Sequence, residues 1–173
     1  MANLRHVTID WTYPRRWDEY EDNPAIDDCG VYYISRCIFY SDHKDETPVY
    51  IGKTRQSFRK RFKQHMDDDK PFLHKNGELY VRLGRIVEPK SLATYEVEER
   101  GYDRLLLTIE SGLITVLQEL GYKVLRNLTN EQQTNTYTLW YKLIIKNCGY
   151  RGLMPSEIDN REHTIESSYN SCE

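Results

Sequence analysis

The sequence predicts an α/β fold of the α+β type, with a small central three-stranded antiparallel sheet flanked by helices. Three segments near residues 31–40, 48–51 and 79–87 are rich in β-branched and aromatic residues, which is typical of strands. Two segments near 58–66 and 103–120 repeat apolar residues every three or four positions, which is typical of helices. The 173 residues have room for one compact domain with short additions.

The first part of this fold is a hairpin preceded by an N-terminal arm. Residues 1–27 are assigned to the arm, in which the alternation of His6–Trp11 predicts a short strand. The segments 31–40 and 48–51 are expected to pair as a hairpin. Its loop is predicted at the polar residues 41–47.

Helices and one more strand follow the hairpin. The helix over 58–66 ends before Pro71, and the strand near 79–87 completes the sheet. The helix of Asp103–Leu120 is stopped by Gly121. Asn130 is the predicted N-cap of a last helix, which Gly149 ends. A polar tail, 151–173, is expected to be disordered or to need a partner for folding.

Composition excludes several classes of protein. No apolar stretch approaches the roughly 20 residues that cross a bilayer. The N-terminus lacks the pattern of a secretory signal, so we expect a cytoplasmic protein with no membrane contact. The four cysteines form no CxxC pair and the five histidines have no zinc spacing. Structural zinc and disulfides are therefore not expected.

Charge is distributed unevenly. The net charge of −3 argues against a general nucleic-acid binder, which usually carries a strong positive excess. Acidic stretches flank the segment 53–63, which contains no acidic residue and can therefore present a local basic face. A solvated helix face is the other interpretation. The basic residues of this segment are Lys53, Arg55, Arg59, Lys60, Arg61 and Lys63.

Glu110 does not fit the apolar side of its predicted helix. A helical projection places it among Leu106, Leu113 and Leu117. A buried, ionised carboxylate is strongly disfavoured unless it is paired or bound to a metal. Three explanations are open: a metal or catalytic role, a salt bridge to an arginine of another element, or a helix rotated so that Glu110 reaches water.

Short motifs precede Glu110 in a characteristic order. Gly30-Val31-Tyr32 is followed by Tyr50-Ile51-Gly52, then by Arg61 and, one helical turn later, His65. This order resembles the GIY-YIG nuclease superfamily, which includes phage homing endonucleases, some restriction enzymes and the incision subunit of bacterial nucleotide-excision repair. The spacing leaves Arg59 as an alternative to Arg61. Arg61 is preferred because it shares a helix face with His65.

The resemblance extends through the second half of the predicted domain. The family places a Glu on the following long helix, here Glu110, and an Asn after that helix, here Asn127 with Asn130 as the alternative. The matching elements cover about residues 28–130. We accordingly expect a GIY-YIG-like nuclease domain over 28–150, ending in the C-terminal helix.

The resemblance implies a role in DNA hydrolysis for each matched side chain. Tyr32 would activate the attacking water as general base, provided that positive charge favours its phenolate. Tyr50 would hold the phosphate or water, and Arg61 would donate to the scissile phosphate. His65 would support Tyr32 or the phosphate. Glu110 would hold one Mg²⁺ or Mn²⁺, whose other ligands are phosphate oxygens and water.

The remaining expectations concern supporting residues and partners. Gly30, Gly52 and Asn127 are predicted to be structural or phosphate-binding. The partner is DNA, expected to be duplex, and a homodimer would allow both strands to be cut. A compact restriction-type or mobile-element endonuclease is the favoured setting. Contacts to nucleic acid are expected from Lys53, Arg55, Arg59, Lys60 and Lys63.

Other functions stay open at this point. The chain could be a catalytically silent GIY-YIG domain that acts as a nucleic-acid or protein binding module. A structural module is a further alternative, because 14 tyrosines could form a surface that docks a partner. Tyr50 could then be a packed strand residue, and His65 an ordinary surface or core residue.

Overall fold

The computed structural model describes residues 5–40, 43–74, 77–88, 99–124 and 143–159. Within these ranges the helices are α1 (Phe58–Asp67) and α2 (Glu99–Glu119), and two short 3-10 turns span Trp17–Asp22 and Pro71–His74. The strands are β1 (Arg5–Trp11), β2 (Arg15–Arg16), β3 (Gly30–Tyr40), β4 (His43–Thr54), β5 (Glu78–Glu88), β6 (Leu143–Gly149) and β7 (Glu157–Asp159).

All the described strands belong to one sheet, in the order β4-β3-β5-β1-β6-β7, with β2 paired to β5. Neighbouring strands run antiparallel except β1 and β6, which are parallel. The predicted small three-stranded antiparallel sheet flanked by helices is therefore wrong: the described residues form a curled, mixed sheet of seven strands. The N-terminal strand β1 adds to β5, and β6 from the C-terminal part of the described chain adds to β1. Local sequence patterns do not reveal such distant pairings.

Three predicted elements differ in the structure. The strand β4 begins at His43, so the expected loop over 41–47 is wrong for its described residues, and 41–42 lie outside them. Leu143–Gly149 is a strand, although its apolar residues fit a helical spacing equally well. Residues 130–142 of the expected helix are not described. Within the expected tail, Glu157–Asp159 pairs with β6, and 160–173 lie outside the described residues.

The predicted N-terminal strand is present, and it lies inside the sheet. Thr8–Trp11 pairs with β5 on one side, and Arg5–Trp11 pairs with β6 on the other. The segment assigned to an arm thus links two parts of the sheet. Neither helix in the described part of the chain is long and apolar enough to cross a bilayer.

Successive residues of a strand face opposite sides of a sheet, and the sheet accordingly has a core on each side. We call the first the aliphatic core; it packs α2 on the sheet and contains Val7, Ile9, Trp11, Val31, Tyr33, Ile51, Leu105, Leu106, Ile109, Leu113, Ile114, Val116, Leu117, Val124, Leu143, Ile145, Met154 and Ile158. We call the second the aromatic core; it includes α1 and contains Tyr20, Ala25, Ile26, Tyr32, Ile34, Val49, Tyr50, Phe58, Phe62, Phe72, Val81 and Leu83.

Candidate active site

The Tyr32 hydroxyl is the centre of a polar cluster in the aromatic core. The side chain has no exposed surface. Its oxygen lies 2.5 Å from Nε2 of His65, and Nε of Arg61 donates to it over 3.4 Å. A strand phenol, a helix imidazole and a guanidinium therefore meet at one oxygen atom.

Gly52 makes room for this arrangement. It pairs with Tyr32 across β3 and β4, and a Cβ at position 52 would lie 2.2 Å from the Tyr32 hydroxyl oxygen. No side chain fits there unless the tyrosine ring moves. Gly30 allows a different close approach: its φ is +145°, and a Cβ would lie 2.3 Å from the carbonyl oxygen of Gly84 on β5.

Helix α1 presents two side chains, Arg61 and His65, to Tyr32. The Ser57 side chain caps the helix by accepting from the Lys60 backbone N–H at 3.3 Å. Phe58 and Phe62 are buried against the sheet, which fixes the rotation of the helix. Arg61 and His65 are four residues apart and share a face, so both reach the same hydroxyl.

Tyr50 and Phe72 complete an aromatic wall. The Tyr50 ring stacks on Tyr32 at 6.0 Å between centroids with an interplanar angle of 27°, and it lies 5.6 Å from the His65 ring. Phe72 packs at 5.0 Å from Tyr50 and 5.4 Å from His65. Phe72 is not among the residues that carry the GIY-YIG resemblance. Its only signal in the sequence is an aromatic residue directly after the helix-ending Pro71.

Glu110 is buried in α2, with 5% of its surface exposed. Its Oε2 atom makes no hydrogen bond to any described residue. Burial raises the pKa of Glu110 to about 7, against the opposing effect of Lys53 and Arg61. The Glu110 charge also raises the pKa of Tyr32 and Tyr50, so the carboxylate lies within electrostatic range of the tyrosine cluster. A rotation of the helix that brings Glu110 into water is thereby excluded.

The donor set fits a hard divalent cation held by one protein carboxylate. Magnesium commonly binds through one or two carboxylates, with substrate phosphates and waters as its other ligands. An unpartnered carboxylate oxygen at Glu110 matches that pattern. Across the described residues no group of three or more His, Cys, Asp or Glu could form a full protein cage.

Protonation states follow from burial. Burial raises the pKa of Tyr32 well above its usual 10.0, and Tyr50 adds to that effect while Arg61 opposes it. Burial, Arg61 and Lys70 lower the pKa of His65 to about 3, so the imidazole is neutral at pH 7. The expectation that nearby positive charge favours a Tyr32 phenolate is not met, because desolvation outweighs the guanidinium.

The predicted basic face is partly neutralised. Arg59 pairs with Asp27 at 2.8 Å and lies near Glu21 at 3.7 Å, whereas Arg61 donates to Tyr32. These contacts favour Arg61 over Arg59 as the site residue. Arg55 pairs with Asp103 of α2 at 3.0 Å. Three lysines remain: Lys53 acts on Glu110, while Lys60 and Lys63 are exposed.

The structure thus brings Tyr32, Tyr50, Arg61 and His65 into contact, and the charge of Glu110 lies close enough to affect both tyrosines and Arg61. Gly30 and Gly52 lie beside them, in contacts that only glycine permits. Asn127 and Asn130 lie outside the described residues. Comparison of the chain with protein-family models, with curated proteins and with solved structures found no match.

Proposed function

We propose that this chain is a divalent-metal-dependent endonuclease of the GIY-YIG type, which hydrolyses DNA phosphodiester bonds in the cytoplasm. One observation carries the proposal. A buried tyrosine hydroxyl held by His65 and Arg61 lies within electrostatic range of buried Glu110, whose Oε2 atom has no hydrogen-bond partner among the described residues. These are the groups that phosphodiester hydrolysis requires: a proton acceptor for water, a cation for the phosphate and a ligand for a divalent metal.

Each side chain has a defined task in this reaction. Arg61 binds the scissile phosphate through its planar fork of donors. Tyr32 accepts the proton of the attacking water, and the stacked Tyr50 ring holds the tyrosine in position. Glu110 would hold Mg²⁺ or Mn²⁺, which supplies positive charge to the phosphate and to the departing oxygen.

The charge at Glu110 bears on how a buried tyrosine could work as a base. The Glu110 carboxylate raises the pKa of Tyr32, and the positive charge of Arg61 opposes this effect. A divalent cation held by Glu110 would supply positive charge there and would favour the phenolate.

One observation favours a second candidate, a catalytically silent domain that binds nucleic acid or another protein. Tyr32 has no exposed surface, and a general base must reach its water. In the nuclease, substrate and metal would have to open the cluster slightly. A silent domain would keep it closed and would use Lys60 and Lys63 for binding.

Incubation of the purified protein with plasmid DNA separates the two candidates. Wild-type protein should nick or linearise the plasmid with Mg²⁺ or Mn²⁺ and should stop when EDTA is added. Glu110→Ala and Arg61→Ala should lose cutting while they keep most DNA binding. Arg59→Ala is the matched control, because Arg59 lies on the same helix but pairs with Asp27 away from the tyrosines.

Two outcomes of these experiments would contradict the metal assignment. Metal-independent nicking, or wild-type cutting by a folded Glu110→Ala protein, would overturn the metal assignment. DNA binding without cutting would favour the silent domain. Sequencing of the product ends then gives the site and strand preference. The dependence of linearisation on protein concentration tests whether two copies act together.

A further inference from the structure

Arg61 lies between the Tyr32 hydroxyl and solvent. Tyr32 has no exposed surface, and two other residues that contact its hydroxyl, His65 and Gly52, are buried as well. Arg61 donates to the same oxygen through Nε at 3.4 Å, and this residue is partly exposed. A water molecule or a phosphate that approaches the hydroxyl from this side of the site therefore meets Arg61 first.

A second hydrogen bond holds the guanidinium from its outer side. Nη1 of Arg61 donates to Oε1 of Gln64 at 3.2 Å. Gln64 is exposed and lies three residues further along α1, and residues with this spacing are neighbours on a helix surface. The guanidinium is thus fixed between a buried acceptor, Tyr32, and an exposed acceptor, Gln64.

A phosphate that binds Arg61 has to compete with these two contacts. A guanidinium grips a phosphate through two parallel N–H groups, either from Nε and Nη2 or from Nη1 and Nη2. Each fork includes a nitrogen that already donates to Tyr32 or to Gln64. The Tyr32 contact is longer than the usual range of about 2.7–3.2 Å, and the Gln64 contact is open to water. Both contacts are therefore weak enough to be exchanged for a charged acceptor.

We infer that Gln64 is a positioning residue, which holds the Arg61 guanidinium over the Tyr32 hydroxyl until a substrate phosphate takes the guanidinium up. This inference deepens the proposed nuclease function and rests on it for its consequence in cutting. When the guanidinium moves outwards to the phosphate, the hydroxyl is opened to the water that the reaction requires. A tyrosine that is buried in the folded protein can then meet water in the reaction.

Nitrogen NMR on the ¹⁵N-labelled full chain tests whether Gln64 holds the guanidinium. The Nε–H signal of Arg61 is assigned by its loss in Arg61→Lys, and its heteronuclear NOE reports motion on the picosecond to nanosecond timescale. We expect Gln64→Ala to lower this NOE. Gln64→Glu should keep it, because a carboxylate also accepts from Nη1. An Nε–H group that is as ordered in Gln64→Ala as in wild type overturns the inference.

Inorganic phosphate, followed on the same Arg61 signal, tests the competition. Gln64→Glu should weaken the apparent phosphate affinity by up to about fivefold, as expected for an exposed ion pair that has to be broken. Gln56→Glu is the matched control, because it adds the same charge at an exposed residue whose backbone groups bond to Thr54. Equal losses in the two variants, or no response of the Arg61 signal to phosphate, overturn the inference.

Steady-state cleavage measures the consequence for the reaction. Gln64→Glu should raise KM by up to about fivefold with kcat unchanged, because its carboxylate competes with the phosphate only before the chemical step. Gln64→Ala removes the competing acceptor and should not raise KM. A lower kcat at unchanged KM in Gln64→Glu contradicts the competition. If the wild-type protein cuts no DNA, the proposed function fails, and the two NMR measurements still decide whether Gln64 holds Arg61.

Discussion

The two cores of this sheet differ in composition and in what they hold. Six of the 12 described residues in the aromatic core have aromatic rings, namely Tyr20, Tyr32, Tyr50, Phe58, Phe62 and Phe72. Only two of the 18 in the aliphatic core do, namely Trp11 and Tyr33. The candidate hydroxyls and His65 lie among the rings, whereas Glu110 projects from the helix that covers the aliphatic core.

The difference shows how a packed face can position polar chemistry. Rings have few rotamers and defined edges, so contacts among them fix the direction of a hydroxyl or an imidazole. Branched aliphatic side chains fill volume efficiently and stabilise the fold without directing polar atoms. We therefore expect mutations in the aromatic core to affect activity first, and those in the aliphatic core to affect stability first.

The largest effect is expected from a pair of glycine substitutions, one for each core. Gly52→Ala would place a Cβ 2.3 Å from Cζ of Tyr32 and must displace that ring, so cutting should fall about 100-fold or more. Gly84→Ala would place a Cβ 2.8 Å from Ile9 and 2.9 Å from Trp11, which belong to the aliphatic core. It should lower the melting temperature while the folded fraction cuts normally. Equal losses of activity in the two variants would show that the two cores do not differ in their effect on cutting.

A smaller contrast is expected from truncations. Leu117→Ala, in the aliphatic core, should lower the free energy of unfolding by about 2–5 kcal/mol with unchanged cutting well below the melting temperature. Phe72→Leu should cost less stability, because it removes less volume. It should nevertheless slow cutting more, because the ring holds both Tyr50 and His65. Denaturant unfolding and single-turnover cleavage, measured on the same samples, give both quantities.

Opposed pH dependences are expected from Glu110 and His65. The pKa of Glu110 is raised from 4.5 to about 7, so the folded state binds more protons at this group than the unfolded state does. The free energy of unfolding therefore falls by about 3 kcal/mol as the pH rises through this range. The pKa of His65 is lowered from 6.5 to about 3, so stability rises, by about 5 kcal/mol, as pH rises from 3 to 6.5. Between pH 4.5 and 6.5 the two slopes oppose each other.

Single variants should reveal each slope separately. Glu110→Gln should be more stable than wild type at pH 8 and should keep the acid sensitivity of His65. His65→Gln should lose that acid sensitivity and keep the fall in stability towards neutral pH. Urea unfolding from pH 4 to 8 measures both. Identical pH profiles for wild type and Glu110→Gln would show that the carboxylate is not desolvated.

The smallest effect concerns the surface of α1. Lys60 is exposed and forms no ion pair with a described residue, while Arg59 is held by Asp27 and Glu21. Lys60→Ala should weaken DNA binding and reduce the slope of affinity against salt by about one phosphate contact. Arg59→Ala should change that slope little. Titrations of each variant with DNA at several salt concentrations measure this slope. A larger loss of affinity in Arg59→Ala than in Lys60→Ala would show that DNA displaces the acidic partners of Arg59.

Local sequence patterns determined which side chains could meet. The alternation along β3 separates Tyr32 from Tyr33, which faces the other core. The four-residue spacing of Arg61 and His65 puts both on one face of α1. Glu110 stands out by itself, because a carboxylate between leucines needs a partner. These features depend only on backbone periodicity, which is local.

The tertiary structure decided what local periodicity cannot encode. It placed β1 between β5 and β6, because strand pairing joins residues far apart in the chain and a short apolar segment such as Leu143–Gly149 fits either a helix or a strand. It also set the charge states of the cluster. The sequence predicted a tyrosine activated by nearby positive charge, but burial raises the pKa of Tyr32 against Arg61, since the loss of hydration exceeds the attraction of one guanidinium.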